Sequence, residues 1–142
     1  MAFSGVLVSV NNSKDGVFTL IPNKYIFFDS YKVTPDQIID LDSGRDTTGV
    51  LHRNALSHRA SKMEFETPPI TNTEWNALWE IITSKVVNKR ERYLYVRYYD
   101  PLTDEYKKGK FYIPDVEFTI ERIDEDEKKI FYDKIRLAFI EY

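Results

Sequence analysis

The stretch SGRDTTGVLHRNALSHR, Ser43 to Arg59, carries both histidines of the chain and three of its arginines. Three chemistries could draw on such a set: phosphate binding, histidine- or metal-based catalysis, and attachment to a neighbouring molecule. Gly44 and Gly49 have the G-x-x-x-x-G spacing of a phosphate loop, but Val50 and Leu51 stand where Lys and Ser or Thr must reach the phosphates and the metal. No helix pattern follows to offer its first N–H groups. The two glycines read instead as residues that let a loop turn. His52 and His58 lie six residues apart, a spacing that does not stack them on one helical turn, although an extended segment could align them. The chain has no cysteine and no His-Glu-x-x-His pairing. No metal and no cofactor is expected.

The remaining catalytic signatures are equally sparse. No G-x-S-x-G surrounds any serine, so a nucleophile elbow is missing. With 23 Asp and Glu, candidate carboxylate pairs are too numerous for any one to stand out. The acidic run at 124–127 lacks the glycine and ligand spacing of a calcium-binding loop and reads as a solvated turn. A non-enzymatic protein is the expectation. A hydrolase using paired carboxylates has no specific residue behind it.

The elements that position these residues follow from periodicity. At 142 residues, 42% hydrophobic and 30% charged, the chain has the composition of one folded domain, and its net charge of −3 draws it to neither nucleic acid nor an anionic membrane in bulk. The start, MAFSGVLVSVNN, has no basic leader and is too short to span a bilayer; it reads as a first strand of a protein made in the cytoplasm. Alternation predicts strands in GVLVSV and GVFTLI, in KMEFET (Met63 and Phe65 inward), in VEFTIER (Val116, Phe118 and Ile120 inward) and in YDKIRLAFIEY (Ile135, Leu137 and Phe139 inward). IDEDEKK is expected to be the turn between the last two of these.

One segment changes period. Trp75, Leu78, Trp79 and Ile82 share a helix face, with a capping box at Thr71 and Glu74, a staple from Ile70 to Trp75, and Pro68-Pro69 blocking extension backwards. A helix over about 72–86 is predicted. The fold class is therefore mainly β: an antiparallel sandwich or barrel with one flanking helix and a long polar arm at about 43–60.

RYLYVRYY and EYKKGKFYI flank the turn DPLTD and read as a hairpin. Leu94, Val96 and Tyr98 face the core, so Tyr93, Tyr95, Arg97 and Tyr99 share the other face with Tyr106, Lys108, Lys110 and Tyr112. Such a face could stack the bases of a single strand, bind carbohydrate, pack against another protein, or form an ordinary aromatic surface. The arm adds an electrostatic asymmetry. Residues 43–62 sum to +3 through Arg45, Asp46, Arg53, Arg59 and Lys62, which leaves −6 for the rest. A basic arm laid across an acidic neighbour would steer copies together, whereas a simple surface loop would only be solvated.

The order G-R-x-x-x-G-x-x-x-R (Gly44, Arg45, Gly49, Arg53), the Trp-containing helix, the D-P-x-T turn, F-Y-x-x-D (Phe111, Tyr112, Asp115) and the I-E ending resemble a family of small prophage-encoded proteins from the tail genes of long-tailed phages of Gram-positive bacteria. The similarity runs from about residue 40 onward and supplies no catalytic residues. It implies a structural protein of the virion tail, similar to tube or distal-tail proteins, whose partners are copies of itself and other tail proteins. Nucleic acid would be passing cargo only, and no membrane is involved. Arg45, Asp46, Arg53 and Arg59, with Tyr93, Tyr95, Arg97 and Tyr99, are then the candidate subunit-interface residues. The alternative is a β-barrel module that binds single-stranded nucleic acid or carbohydrate on the Tyr, Arg and Lys face.

Overall fold

Period-two alternation builds most of the molecule, which a computed structural model describes over residues 3–38, 43–53 and 60–142. The chain opens with a hairpin, β1 (Val8–Asn11) and β2 (Thr19–Leu20), then passes through a short 3-10 turn at Asn23–Tyr25 to β3 (Lys32–Gln37). A small ribbon follows, β4 (Gly44–Arg45) and β5 (Leu51–His52), and then β6 (Ala60–Glu66), β7 (Ile70–Thr71) and the helix α1 (Asn72–Thr83). The second half holds β8 (Tyr93–Asp100), β9 (Glu105–Tyr112), β10 (Ile120–Asp124), β11 (Lys129–Tyr132) and β12 (Arg136–Glu141). Seven strands form one antiparallel sheet in the order β2-β1-β8-β9-β12-β6-β3, and three form a second in the order β10-β11-β7. The fold is mainly β, with a large antiparallel sheet and one helix.

The core lies on one face of the large sheet. Val8, Val10, Leu94, Val96, Phe111, Met63, Phe65, Leu137 and Phe139 point to it, and Trp75, Leu78 and Ile82 of α1 join the same buried cluster. A 12-residue helix is marginal in water by itself. Its apolar stripe stabilises it here, each buried side chain contributing about 1.5–3 kcal/mol by leaving water. The capping box forms as expected: the Glu74 N–H donates to Thr71 Oγ1 at 3.4 Å, and the Thr71 N–H donates to Glu74 Oε1 at 3.3 Å. The helix stops at Thr83, short of the expected 86. Thr83 and Ser84 turn their hydroxyls back onto the carbonyls of Trp79 and Ile81, and residues 85 and 86 make tighter bonds to Ile82 and Thr83.

Two further expectations are corrected. VEFTIER does not place a strand face inward: only Ile120 onward forms β10, and Phe118 and Ile120 are 43% and 53% exposed. Val116 packs on the core, while β10 has a single ladder, to β11, and is exposed from Ile120 to Ile123. The last strands are also not one hairpin. The turn at 125–128 joins β10 to β11 in the small sheet, and β12 then returns to the large one. The crossing is fixed at buried Thr67, whose N–H donates to the Ile135 carbonyl at 2.8 Å and whose Oγ1 accepts from the Ile135 N–H at 3.2 Å. Pro68 and Pro69 carry the preceding strand across the same corner.

One end of the inner sheet face is polar. The Asp100 side chain is fully buried and pairs with Lys107 Nζ at 2.7 Å, and the same Nζ reaches Asp36 at 2.9 Å. Ser61 Oγ accepts from the Asp36 N–H at 3.0 Å and shares a 2.7 Å hydrogen bond with the Tyr98 hydroxyl; the Ser61 N–H donates to Glu141 at 2.8 Å. Gly109 belongs to this arrangement, because a Cβ there would collide with the Glu141 carboxylate. β3, with Pro35 inside it, loses regular register between Thr34 and Gln37, and Asp36 has φ 47°. The Lys107 pair and the Ser61 bond hold that irregular backbone in place.

Candidate functional site

The described part of the arm is a closed hairpin. Gly44 pairs with His52 and Arg45 with Leu51, and every described residue from 43 to 53 is exposed. Asp46 organises the turn. Its Oδ1 accepts from the Thr48 N–H at 2.9 Å, the Thr48 hydroxyl at 2.6 Å and the Val50 N–H at 3.0 Å, and its Oδ2 lies 2.8 Å from His52 Nε2. These partners, the Thr48 hydroxyl and His52 ring foremost, hold the Asp46 carboxyl down at about 2. Arg45 Nη1 closes the other side with a 2.9 Å bond to the Gly49 carbonyl. Gly49 takes φ 88°, the left-handed turn conformation that suits glycine, whereas Gly44 sits in β4 without a positive φ. Turning freedom is thus needed at Gly49 only. The G-R-x-x-x-G spacing is that of a self-closing hairpin, and a strand follows it where a phosphate loop would need a helix. The signal in the sequence was Asp46-x-Thr48 followed by Gly49, an Asx-type turn. Arg53 follows the hairpin, and Arg59 and His58 lie outside the described residues.

The second candidate is the outer face of β8 and β9. Their register sets Tyr93 opposite Tyr112, Tyr95 opposite Lys110, Arg97 opposite Lys108 and Tyr99 opposite Tyr106. Alternation in the sequence placed all eight on one face, and the ladder does so. The cations lie on rings. The Arg97 guanidinium is 4.3 Å from the centre of the Tyr106 ring, and Lys110 Nζ is 4.2 Å from both Tyr93 and Tyr142. Lys108 Nζ reaches Phe18 at 5.6 Å. Contacts of this kind contribute about 0.5–1 kcal/mol each at exposed sites and pre-order long side chains. None of the eight outward positions carries a carboxylate. At the rim, the Tyr99 hydroxyl donates to Asp104 at 2.5 Å, and a concavity of about 430 Å³ is lined in part by Gly16, Phe18, Arg97 and Lys108. Phe18, Gly16 and Tyr142 were missed from sequence, because only the loop after β1 and the chain end bring them to this face.

The arrangement offers a stiff surface of aromatic rings and of cations that make no ion pair among the described residues, together with a pre-folded polar hairpin in which Arg45 and Asp46 cancel in charge. Among the described residues no three His, Asp or Glu side chains are placed to hold a metal ion. Among the same residues no helix is long and apolar enough to cross a membrane. Asp115 of the F-Y-x-x-D motif forms an ion pair with Arg92, which ties the end of β9 to the start of β8.

No curated protein and no solved structure matches the chain. One family model does, over residues 1–142, so the chain belongs to DUF6711, a family of unknown function.

Proposed function

We propose that this protein is a non-enzymatic structural component that assembles with copies of itself into rings or stacks, and that the assembly belongs to the tail of a bacteriophage. The observation that carries the first part is the hairpin at 43–53. It contributes no buried side chain, yet it is closed by five hydrogen bonds from side chains of its own residues. A segment ordered in this way but spent on no core contact is pre-organised to meet something outside the chain. The longer segment 43–62 around it, which sums to +3 in sequence against a remainder of −6, supplies the attraction between copies. The second part draws on the motif order G-R-x-x-x-G-x-x-x-R to I-E and its resemblance to prophage tail-region proteins.

Light scattering across a concentration series tests the assembly. The wild type is expected as a closed oligomer or a growing stack, the Arg45→Ala/Arg53→Ala variant as smaller species, and the Arg45→Lys/Arg53→Lys variant as near wild type. A monomer at every concentration refutes assembly through the arm. Peptides of this chain in purified virions, or their absence, test the tail. A second reading is favoured by the cations stacked on Tyr93 and Tyr106: a module that holds a single strand on the β8–β9 face.

A further inference from the structure

We infer that the outer β8–β9 face is the receptor for the acidic β10–β11 hairpin tip of a second copy. This rests on the assembly reading above and names the contact within it. The face presents Arg97, Lys108 and Lys110 with no carboxylate among the outward residues of either strand. Among the described residues none of the three makes an ion pair, and the carboxylates at the rim, Asp104 and Glu91, bond the hydroxyls of Tyr99 and Tyr142, so the positive charge is available to a partner. The tyrosines between them offer flat, rigid area of the kind that dominates protein contacts.

The chain itself contains the complement. Asp124, Glu125, Asp126 and Glu127 cap the β10–β11 hairpin, and Asp124 Oδ1 shapes the tip by accepting the Asp126 and Glu127 N–H groups at 3.1 Å each. Lys129 pairs with Glu127 at 3.0 Å and Lys128 completes the turn, so residues 124–129 sum to −2, with Glu125 and Asp126 at the apex. Ile123 beside them is 62% exposed and gives the tip an apolar flank for the rings.

Topology decides between a contact within one chain and a contact between two. β11 pairs with β7, and both lie with α1 on the layer that covers the inner face of the large sheet. The cations lie on the opposite face. A tip therefore cannot fold back onto its own receptor, and it reaches only that of another molecule. Donor and receptor on opposite sides make a head-to-tail contact, which closes into a ring or continues as a stack.

The test is a charge exchange read by light scattering, with far-UV circular dichroism and thermal midpoint to verify folding. Lys108→Glu/Lys110→Glu alone and Glu125→Lys/Asp126→Lys alone are each expected to raise the concentration of half-assembly at least tenfold. The chain carrying all four changes is expected to recover most of that loss. If the wild type assembles and the two reversals leave its mass unchanged, or the combined chain does not recover, this contact is overturned while the assembly stands. A wild type that stays monomeric removes the assembly and this contact with it. Salt-sensitive binding of a fluorescent single-stranded oligothymidylate that is lost in Lys108→Glu/Lys110→Glu, with mass indifferent to the tip variant, assigns the face to nucleic acid instead.

Discussion

Asp46 shows how much a single carboxylate can organise on a surface. It is exposed, yet it gathers the Thr48 hydroxyl, the His52 ring and the Val50 and Thr48 amides around its two oxygens. Its carboxyl lies at about 2 in the folded chain, against an ordinary value of 3.8. A depressed folded value means that the ionised group's support for the hairpin is complete above 3.8 and is lost as pH falls through about 2. The Thr48 and Val50 amide resonances are therefore expected to hold their positions at pH 4 and to move only as pH approaches 2. Asp46→Ala should place both amides at coil-like shifts at every pH. A titration midpoint near 4 would show that the carboxylate is not engaged. The residue types of this turn were legible in the sequence and its closure was not, because a spacing does not state that Arg45 will bond the Gly49 carbonyl rather than another molecule.

At the scale of elements, Lys107 joins three strands. It stands on β9, pairs with buried Asp100 at the end of β8, and holds Asp36 of β3 across the inner face. Burial alone would push the Asp100 carboxyl up; the Lys107 ammonium and the Leu102 N–H outweigh it and leave the group below its ordinary range. Lys107→Met removes the counter-charge and leaves a carboxylate in the core. Such losses cost about 3–5 kcal/mol for fully buried pairs; about 3 kcal/mol is expected here, because Lys107 and Asp36 are partly exposed. Urea unfolding monitored by tryptophan fluorescence measures it, and the double variant Asp100→Asn/Lys107→Met should recover part of the loss. An unchanged midpoint in Lys107→Met would refute the account.

Elements were also where sequence and structure diverged most instructively. Alternation located β6, β8, β9 and β12 with their faces correctly assigned, because the second layer covers each of them. It failed ahead of and along β10, where the same pattern occurs without enclosure: Phe118 touches Trp75 and Tyr132 at ring-centre distances of 5.1 and 5.4 Å yet stays 43% exposed, and Ile120 is 53% exposed. Period two reports which residues share a side, not what lies against that side. β3 gave no clear signal because Pro35 interrupts it, as proline does in strands at a sheet margin.

For the whole molecule, charge is divided between a basic arm and an acidic remainder, and the β8–β9 face adds cations on a side that the acidic hairpin tip cannot reach. An assembly held by such contacts is screened by salt, whose Debye length falls from about 10 Å at 0.1 M to about 3 Å at 1 M. Raising sodium chloride from about 0.05 M to 0.5 M should shift the light-scattering mass toward the monomer. A mass that holds or grows would assign the contact to apolar burial instead.

The margins of the sheets bear on how safely such a protein can be concentrated. β2 offers only two residues to an incoming strand, and β3 lacks the Pro35 N–H and breaks register at Asp36. In the small sheet β7 is equally brief, and β10 sets Glu121, Arg122 and Asp124 along its five residues. A growing cross-β ladder needs a long, even row of open backbone groups. None of these four margins provides one, so the edges of the two larger sheets offer little for the strand of another chain to extend.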